Sequence, residues 1–160
     1  MRTLYFLRHG LADRSQYTGK DDALRPLTAK GRLRMQTTAA TLARMGWEPG
    51  LILTSPLARA RQTAEIVAEG LDLQNRVKVA EELGCGFDSR DLAALLSTYR
   101  DTDGLVLVGH EPDFSLVIAN LTGGSDIVMK KGGLARVDLF AEDPPAGRLA
   151  WLLPPRLLAR

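Results

Sequence analysis

The sequence predicts an α/β fold, layered around a largely parallel central sheet. Three observations carry that reading. Short apolar runs alternate with longer stretches of helical spacing. Three of those apolar runs end in chemically active residues: Arg8-His9-Gly10, Thr54-Ser55-Pro56 and Gly109-His110-Glu111. No repeat, low-complexity segment or long linker divides the 160 residues, which are 45% hydrophobic and 25% charged. A single domain over residues 1–160, with a sizeable core, is therefore expected.

Thr3 to Leu7 is a short apolar run suited to a buried strand. Leu11 to Pro26 is polar and reads as a surface loop beside that strand's exit. Thr28 is placed to cap a helix, although Gly31 falls early in it. This helix is expected to reach Arg44-Met45 and stop at Gly46. Leu51 to Thr54 is a second strand. Ser55 and Pro56 then suit the cap and first position of a helix ending near Gly70. Val77 to Ala80 is a third strand, followed by a loop from Glu81 to Arg90. Asp91 to Tyr99 carries Leu92, Leu95, Leu96 and Tyr99 on one helical face.

Leu105 to Val108 is the most strand-like run of the chain. A helix with Pro112 near its first position follows and runs to Leu121. Lys130 to Gly133 is a polar turn, and Leu134 to Leu139 alternates like a half-exposed strand. Pro144-Pro145 is expected to break the chain before a last strand, Arg148 to Leu153. Those last two strands lack an intervening helix, so a hairpin and an edge position are both open.

Composition excludes several functions. A net charge of +2 with no long basic block speaks against a nucleic-acid binder. One cysteine, Cys85, rules out an internal disulfide and fits a reducing compartment. Two histidines and one cysteine make a structural zinc site improbable. No run approaches the ~20 apolar residues that span a bilayer. No secretory signal is visible. A cytoplasmic monomer with no membrane contact is the expectation. Ser55 lacks the surroundings of a nucleophile elbow. Neither Gly19-Lys20 nor Gly123-Gly124 completes a phosphate-binding Walker loop. Lys130-Lys131 reads as a solvated turn, and Cys85 as an unreactive thiol.

In open α/β sheets, ligands bind beyond the carboxyl ends of the strands. Both histidines of the protein lie at such ends. A histidine at one strand exit is most often structural; two at neighbouring exits point to a shared pocket. Arg59 lies early in the helix after Ser55, and helical side chains lean back toward the N-terminus. Arg8, His9, Arg59 and His110 are thus expected around one anion. Guanidinium forks match phosphate oxygens, and histidine serves as a covalent nucleophile. Such a site needs no metal and no cofactor.

Leu7-Arg8-His9-Gly10 resembles the signature of the histidine phosphatase superfamily, the phosphoglycerate-mutase-like fold. Pro26-Leu27-Thr28 with Gly31, the segment Thr54 to Ala64, and Val108-Gly109-His110 resemble its later motifs in order. The short chain, Val108 to Asp113 and the Lys-Gly-Gly near the end are most similar to the SixA-like phosphohistidine phosphatases. The resemblance implies a three-layer α/β/α sandwich without a large cap domain. It implies His9 as the nucleophile, and Arg8, Arg59 and His110 as the phosphate pocket. Ser15 lies at about the spacing of a phosphate-contacting asparagine in the mutases. Many members carry a glutamate acid in a Leu-x-Glu pattern, where this chain has Leu83-Gly84-Cys85. Asp88, Glu111 and His110 remain as proton donors. The implied partner is a phosphohistidine-bearing protein. A small phosphorylated metabolite is the alternative substrate, and a non-catalytic phosphoprotein-binding module the alternative role.

Overall fold

The computed structural model describes residues 1–160. Six strands form in chain order: β1 (Arg2–Arg8), β2 (Leu51–Thr54), β3 (Val77–Val79), β4 (Leu105–Gly109), β5 (Leu134–Glu142) and β6 (Pro145–Leu153). They make one sheet of order β3-β2-β4-β1-β5-β6. The first four run parallel. β5 pairs antiparallel with β1 and β6 antiparallel with β5. The open question about the last two strands is resolved as a hairpin at the sheet's edge.

Five helices lie between or after the strands: α1 (Ala29–Arg44), α2 (Ala58–Gly70), α3 (Ser89–Thr98), α4 (Asp113–Leu121) and α5 (Pro155–Leu158). Successive residues of a strand face opposite sides of a sheet. Leu4, Phe6, Leu53, Leu105 and Leu107 accordingly pack with α3 and α4 on one face. Leu7, Ile52, Val106 and Val108 pack with α1, α2 and α5 on the other. The result is the expected three-layer sandwich. β4, central in the sheet, is buried along its whole length.

Several element boundaries differ from expectation, each for a local reason. α2 starts at Ala58, not at Ser55, and no side chain caps it. The Ser55 amide is still in the sheet, donating to the Val108 carbonyl at 2.9 Å. Asp143 and Pro144 form the turn that ends β5, and β6 begins at Pro145, three residues before the expected Arg148. A proline at the first residue of an edge strand deprives the sheet of no hydrogen bond. α3 starts at Ser89 because Asp88 and Asp91 form a capping box. The loop after β1 contains two short 3-10 turns, Arg14–Gln16 and Asp22–Leu24. The helix α5 has no counterpart in the sequence reading.

Gly31 shows why a poor helix former sits in the first turn of α1. Thr28 caps the helix, its Oγ1 accepting the Gly31 amide at 3.0 Å. The Thr28 amide donates to the Leu11 carbonyl at 2.9 Å. A Cβ on Gly31 would run into that same carbonyl oxygen. Glycine thus lets the chain leaving the β1 exit dock against α1. Gly31→Ala would gain about 1 kcal/mol of helix propensity. The forced separation costs more, so a net loss of about 1–2 kcal/mol is expected in denaturant unfolding. A stabilised variant would contradict this packing.

Candidate active site

The parallel register brings the strand exits together. Arg8 pairs with Gly109 across β1 and β4, and Thr54 with Val108 across β2 and β4. The ladder continues one step further, with the His9 amide donating to the Gly109 carbonyl at 3.0 Å. His9 and His110 are therefore neighbours, with ring centroids 5.3 Å apart and planes inclined by 54°. Both are buried, 6% and 4% exposed.

Hydrogen bonding assigns the His9 tautomer. Its Nδ1 lies 2.7 Å from the Gly10 carbonyl oxygen, which only accepts. Nδ1 therefore carries the proton and Nε2 keeps its lone pair. Gly10 is held in turn, its amide donating to Thr63 Oγ1 at 3.0 Å. Thr63 Oγ1 donates to the Arg59 carbonyl one turn back in α2. A Cβ on Gly10 would meet Met35 Cγ at 2.9 Å, so the close approach of α1 needs glycine there.

Each arginine is pinned through its terminal nitrogens. Arg8 Nη1 donates to the Met129 carbonyl at 2.7 Å. Arg59, 5% exposed, donates from Nη1 to the Asp22 carbonyl at 3.0 Å, with Nη2 3.4 Å from the Asp22 carboxylate. Asp22 also binds Arg25 Nε at 2.9 Å, and Arg25 reaches the Ala12 carbonyl. The loop after β1 is thus fastened onto Arg59. Four buried side-chain polar atoms have no protein partner, and three of them are here: Arg8 Nε, Arg59 Nε and His110 Nδ1. Buried donors left unpaired by the protein are costly. Their concentration at one point suits an oxyanion.

Burial pulls the basic groups toward neutrality. His9 is lowered to about 3 by desolvation, with the His110, Arg59 and Arg8 charges adding to it against the Gly10 hydrogen bond. His110 is lowered to about 4 by desolvation and by Arg59, Arg8 and Arg25. Arg8 and Arg59 are also lowered, chiefly by desolvation, but arginine stays charged. Asp22 is held below its usual value by the Arg25 hydrogen bond first, then by the nearby guanidinium charges.

Not every expected residue joins the cluster. Ser15 is exposed, its amide and hydroxyl both donating to Asp13 Oδ1. Asp88 is occupied at the N-terminus of α3, accepting the Arg90 and Asp91 amides. Glu111 accepts the Ser115 amide at 3.0 Å and hydroxyl at 2.6 Å. Cys85 is an exposed free thiol. No three His, Cys, Asp or Glu residues come together as a metal site would need. Sequence reasoning missed Asp22, Arg25, Thr63 and the Met129 carbonyl. The Asp-x-x-Arg spacing was the one visible sign of the Asp22–Arg25 pair.

A model of the histidine phosphatase superfamily (branch 1) matches residues 4–84, which include Arg8, His9 and Arg59. The chain belongs to the histidine phosphatase superfamily. An uncharacterized protein of Picosynechococcus is 40% identical over 137 residues, covering 82% of this chain and 81% of that protein. Phosphohistidine phosphatase SixA of Escherichia coli is 29% identical over 157 residues, covering 95% and 93%. Among solved structures, the protein histidine phosphatase SixA complexed with tungstate superposes with a TM-score of 0.85 at 28% identity, covering 98% of this chain and 99% of that one. These comparisons agree with the SixA-like resemblance of the sequence and with the phosphoglycerate-mutase-like fold. No helix in this histidine phosphatase superfamily member is long and apolar enough to cross a membrane.

The depressed histidines make stability depend on pH. The unfolded chain protonates its histidines near 6.5, the folded chain only near 3 to 4. Between those values the unfolded state binds more protons, so stability rises with pH. The denaturant midpoint is expected to fall as pH is lowered from 7 to 5. The slope should shrink in the His9→Asn, His110→Asn double variant. An unchanged slope in that variant would contradict neutral burial of the two rings.

Proposed function

We propose that the protein is a metal-independent phosphatase that removes the phosphoryl group from phosphohistidine on a protein, through a phosphorylated His9. The observation that carries this reading is the His9 tautomer. Nδ1–H is committed to the Gly10 carbonyl, and the Nε2 lone pair belongs to a ring beside His110. The likeness to SixA, a phosphohistidine phosphatase in Escherichia coli, supports the substrate class. Tungstate, carried by a solved SixA structure, is a tetrahedral oxyanion of the same geometry as phosphate.

In the first step, Nε2 of His9 attacks phosphorus in line with the leaving nitrogen. The bond from phosphorus to the substrate imidazole breaks, and that ring, protonated beforehand on its other nitrogen near neutral pH, leaves as neutral imidazole. Arg8 Nε–H, Arg59 Nε–H and His110 hold the equatorial oxygens as charge redistributes. The positive charge left on the His9 ring is shared with Nδ1–H, which already faces the Gly10 carbonyl. In the second step, water attacks phosphorus and the Nε2–P bond breaks. Inorganic phosphate leaves, and His9 returns to its starting tautomer.

The leaving group decides the substrate. Expelling an alkoxide needs an acid, and general acids are worth about 10²–10⁴ in rate. Here Cys85 stands where many relatives carry glutamate. The Asp88 and Glu111 carboxylates are tied to helix N-termini. Imidazole leaves without such help. A phosphohistidine-bearing protein is therefore expected to be hydrolysed at least about 10²-fold faster, in kcat/KM, than alkyl phosphates such as sugar phosphates. An aryl phosphate should fall between. His9→Gln should lose turnover of all three, and EDTA should leave turnover unchanged. Equal rates on alkyl phosphates would favour a small-molecule phosphatase, and full activity in His9→Gln would end the mechanism.

A further inference from the structure

Ser55 is fully buried at the β2 exit, where its hydroxyl lies 2.7 Å from His110 Nε2. Its main chain is fixed on both sides. The amide donates to the Val108 carbonyl, and the Ser55 carbonyl accepts the Thr54 hydroxyl at 3.1 Å. The Leu57 amide donates to Ser55 Oγ at 3.2 Å. A serine hydroxyl has one proton and two lone pairs. One lone pair is therefore spent on Leu57, and the contact to His110 admits two proton arrangements.

If His110 Nε2–H donated to Ser55, the serine proton would be buried with no acceptor among the contacts it makes. His110 Nδ1 would then be a bare lone pair, turning no donor toward an anion. If instead the serine hydroxyl donates to Nε2, Ser55 is satisfied. Nδ1 then carries the imidazole proton. That atom is buried without a protein partner, as are Arg8 Nε and Arg59 Nε. Three N–H donors then stand unpaired within one site.

We propose that Ser55 is a positioning residue: its hydroxyl donates to His110 Nε2, fixes the Nδ1–H tautomer, and so turns His110 into a hydrogen-bond donor for a phosphoryl oxygen. The consequence for catalysis rests on the phosphatase reading, whereas the tautomer does not. A neutral imidazole owns a single N–H, and burial holds His110 neutral at physiological pH. The ring therefore helps an oxyanion only in the tautomer that Ser55 selects.

Ring nitrogen spectra of ¹⁵N-histidine-labelled protein test this directly. The protein has two histidines, and His9→Gln assigns the remaining signals to His110. In the wild type, His110 Nδ1 should give the protonated-type resonance and Nε2 the lone-pair type. In Ser55→Ala, the population should shift toward Nε2–H. Tungstate affinity should fall about tenfold and kcat/KM by roughly 100-fold, the lower end of the range for loss of one oxyanion donor. Ser55→Thr, which keeps a hydroxyl, should recover the wild-type tautomer.

A purely structural role would lower the melting temperature of Ser55→Ala and leave the tautomer as it was; that result overturns the proposal. So does an Nε2–H tautomer in the wild type, which can be read even if Ser55→Ala fails to fold. If the tautomer is as stated but the wild-type enzyme turns over no phosphohistidine, the substrate reading fails while the assignment of Ser55 stands.

Discussion

The hydrogen bond from the His9 amide to the Gly109 carbonyl carries the β1–β4 ladder one residue past its last pair. The site at this edge depends on that step. A parallel pair has one register, and a slip of one residue would turn each side chain to the other face. Both faces of β1 are closely packed, Leu4 and Phe6 in one cluster and Leu7 in the other, so a slip would misplace every one of these fitted side chains. The core thus fixes the pairing, and the pairing fixes the distance between two imidazoles. β2, on the other side of β4, adds Ser55 and, through α2, Arg59.

The same edge is where the protein is least comfortable. Two guanidinium groups and two imidazoles are withdrawn from water, and burial disfavours the charged form of each. The fold answers with main-chain carbonyls. Met129 holds Arg8, Asp22 holds Arg59, and Gly10 holds His9. Each leaves an atom free on the other side of the group: an arginine Nε–H or the His9 Nε2. The Gly132 amide adds a shared donor to the Arg8 and His9 carbonyls, at 3.1 and 3.0 Å. Its positive φ of 80° explains a glycine in that turn. Segments far apart in the chain are therefore tied to the same few atoms, and the groups gathered there need little reorganisation to meet an anion.

Much of this was legible in the residues. All six expected strands form; β1, β2 and β4 were plain because burial on both faces of a parallel sheet leaves an apolar run, and β5 because it alternates. The exits of β1, β2 and β4 were visible because polar residues follow apolar runs abruptly. Other features left no such mark. Ser55 looks like a helix cap, since the preference for serine before proline is the same whether its hydroxyl faces an amide or an imidazole. Asp22 and Arg25 sit in a polar loop whose composition predicts exposure, and only the three-dimensional path of that loop brings them to Arg59. Lys130 to Gly133 is the polar turn its composition announces, with both lysines exposed, but its backbone also fastens the β1 exit. Main-chain contacts of this kind are independent of side-chain identity and invisible to motif reading. The α5 helix is short and begins at a proline pair, so neither periodicity nor length announced it.

The account comes down to which nitrogen attacks phosphorus. Rapid acid-free quenching of the enzyme with ³²P-labelled phosphohistidine substrate, followed by ³¹P and ¹⁵N spectroscopy of the trapped protein, reads that atom directly. The expected result is one acid-labile phosphoryl group on residue 9, attached at Nε2, with Nδ1 still protonated. Label on His110, attachment at Nδ1 of His9, or turnover with no covalent phosphoenzyme would contradict it.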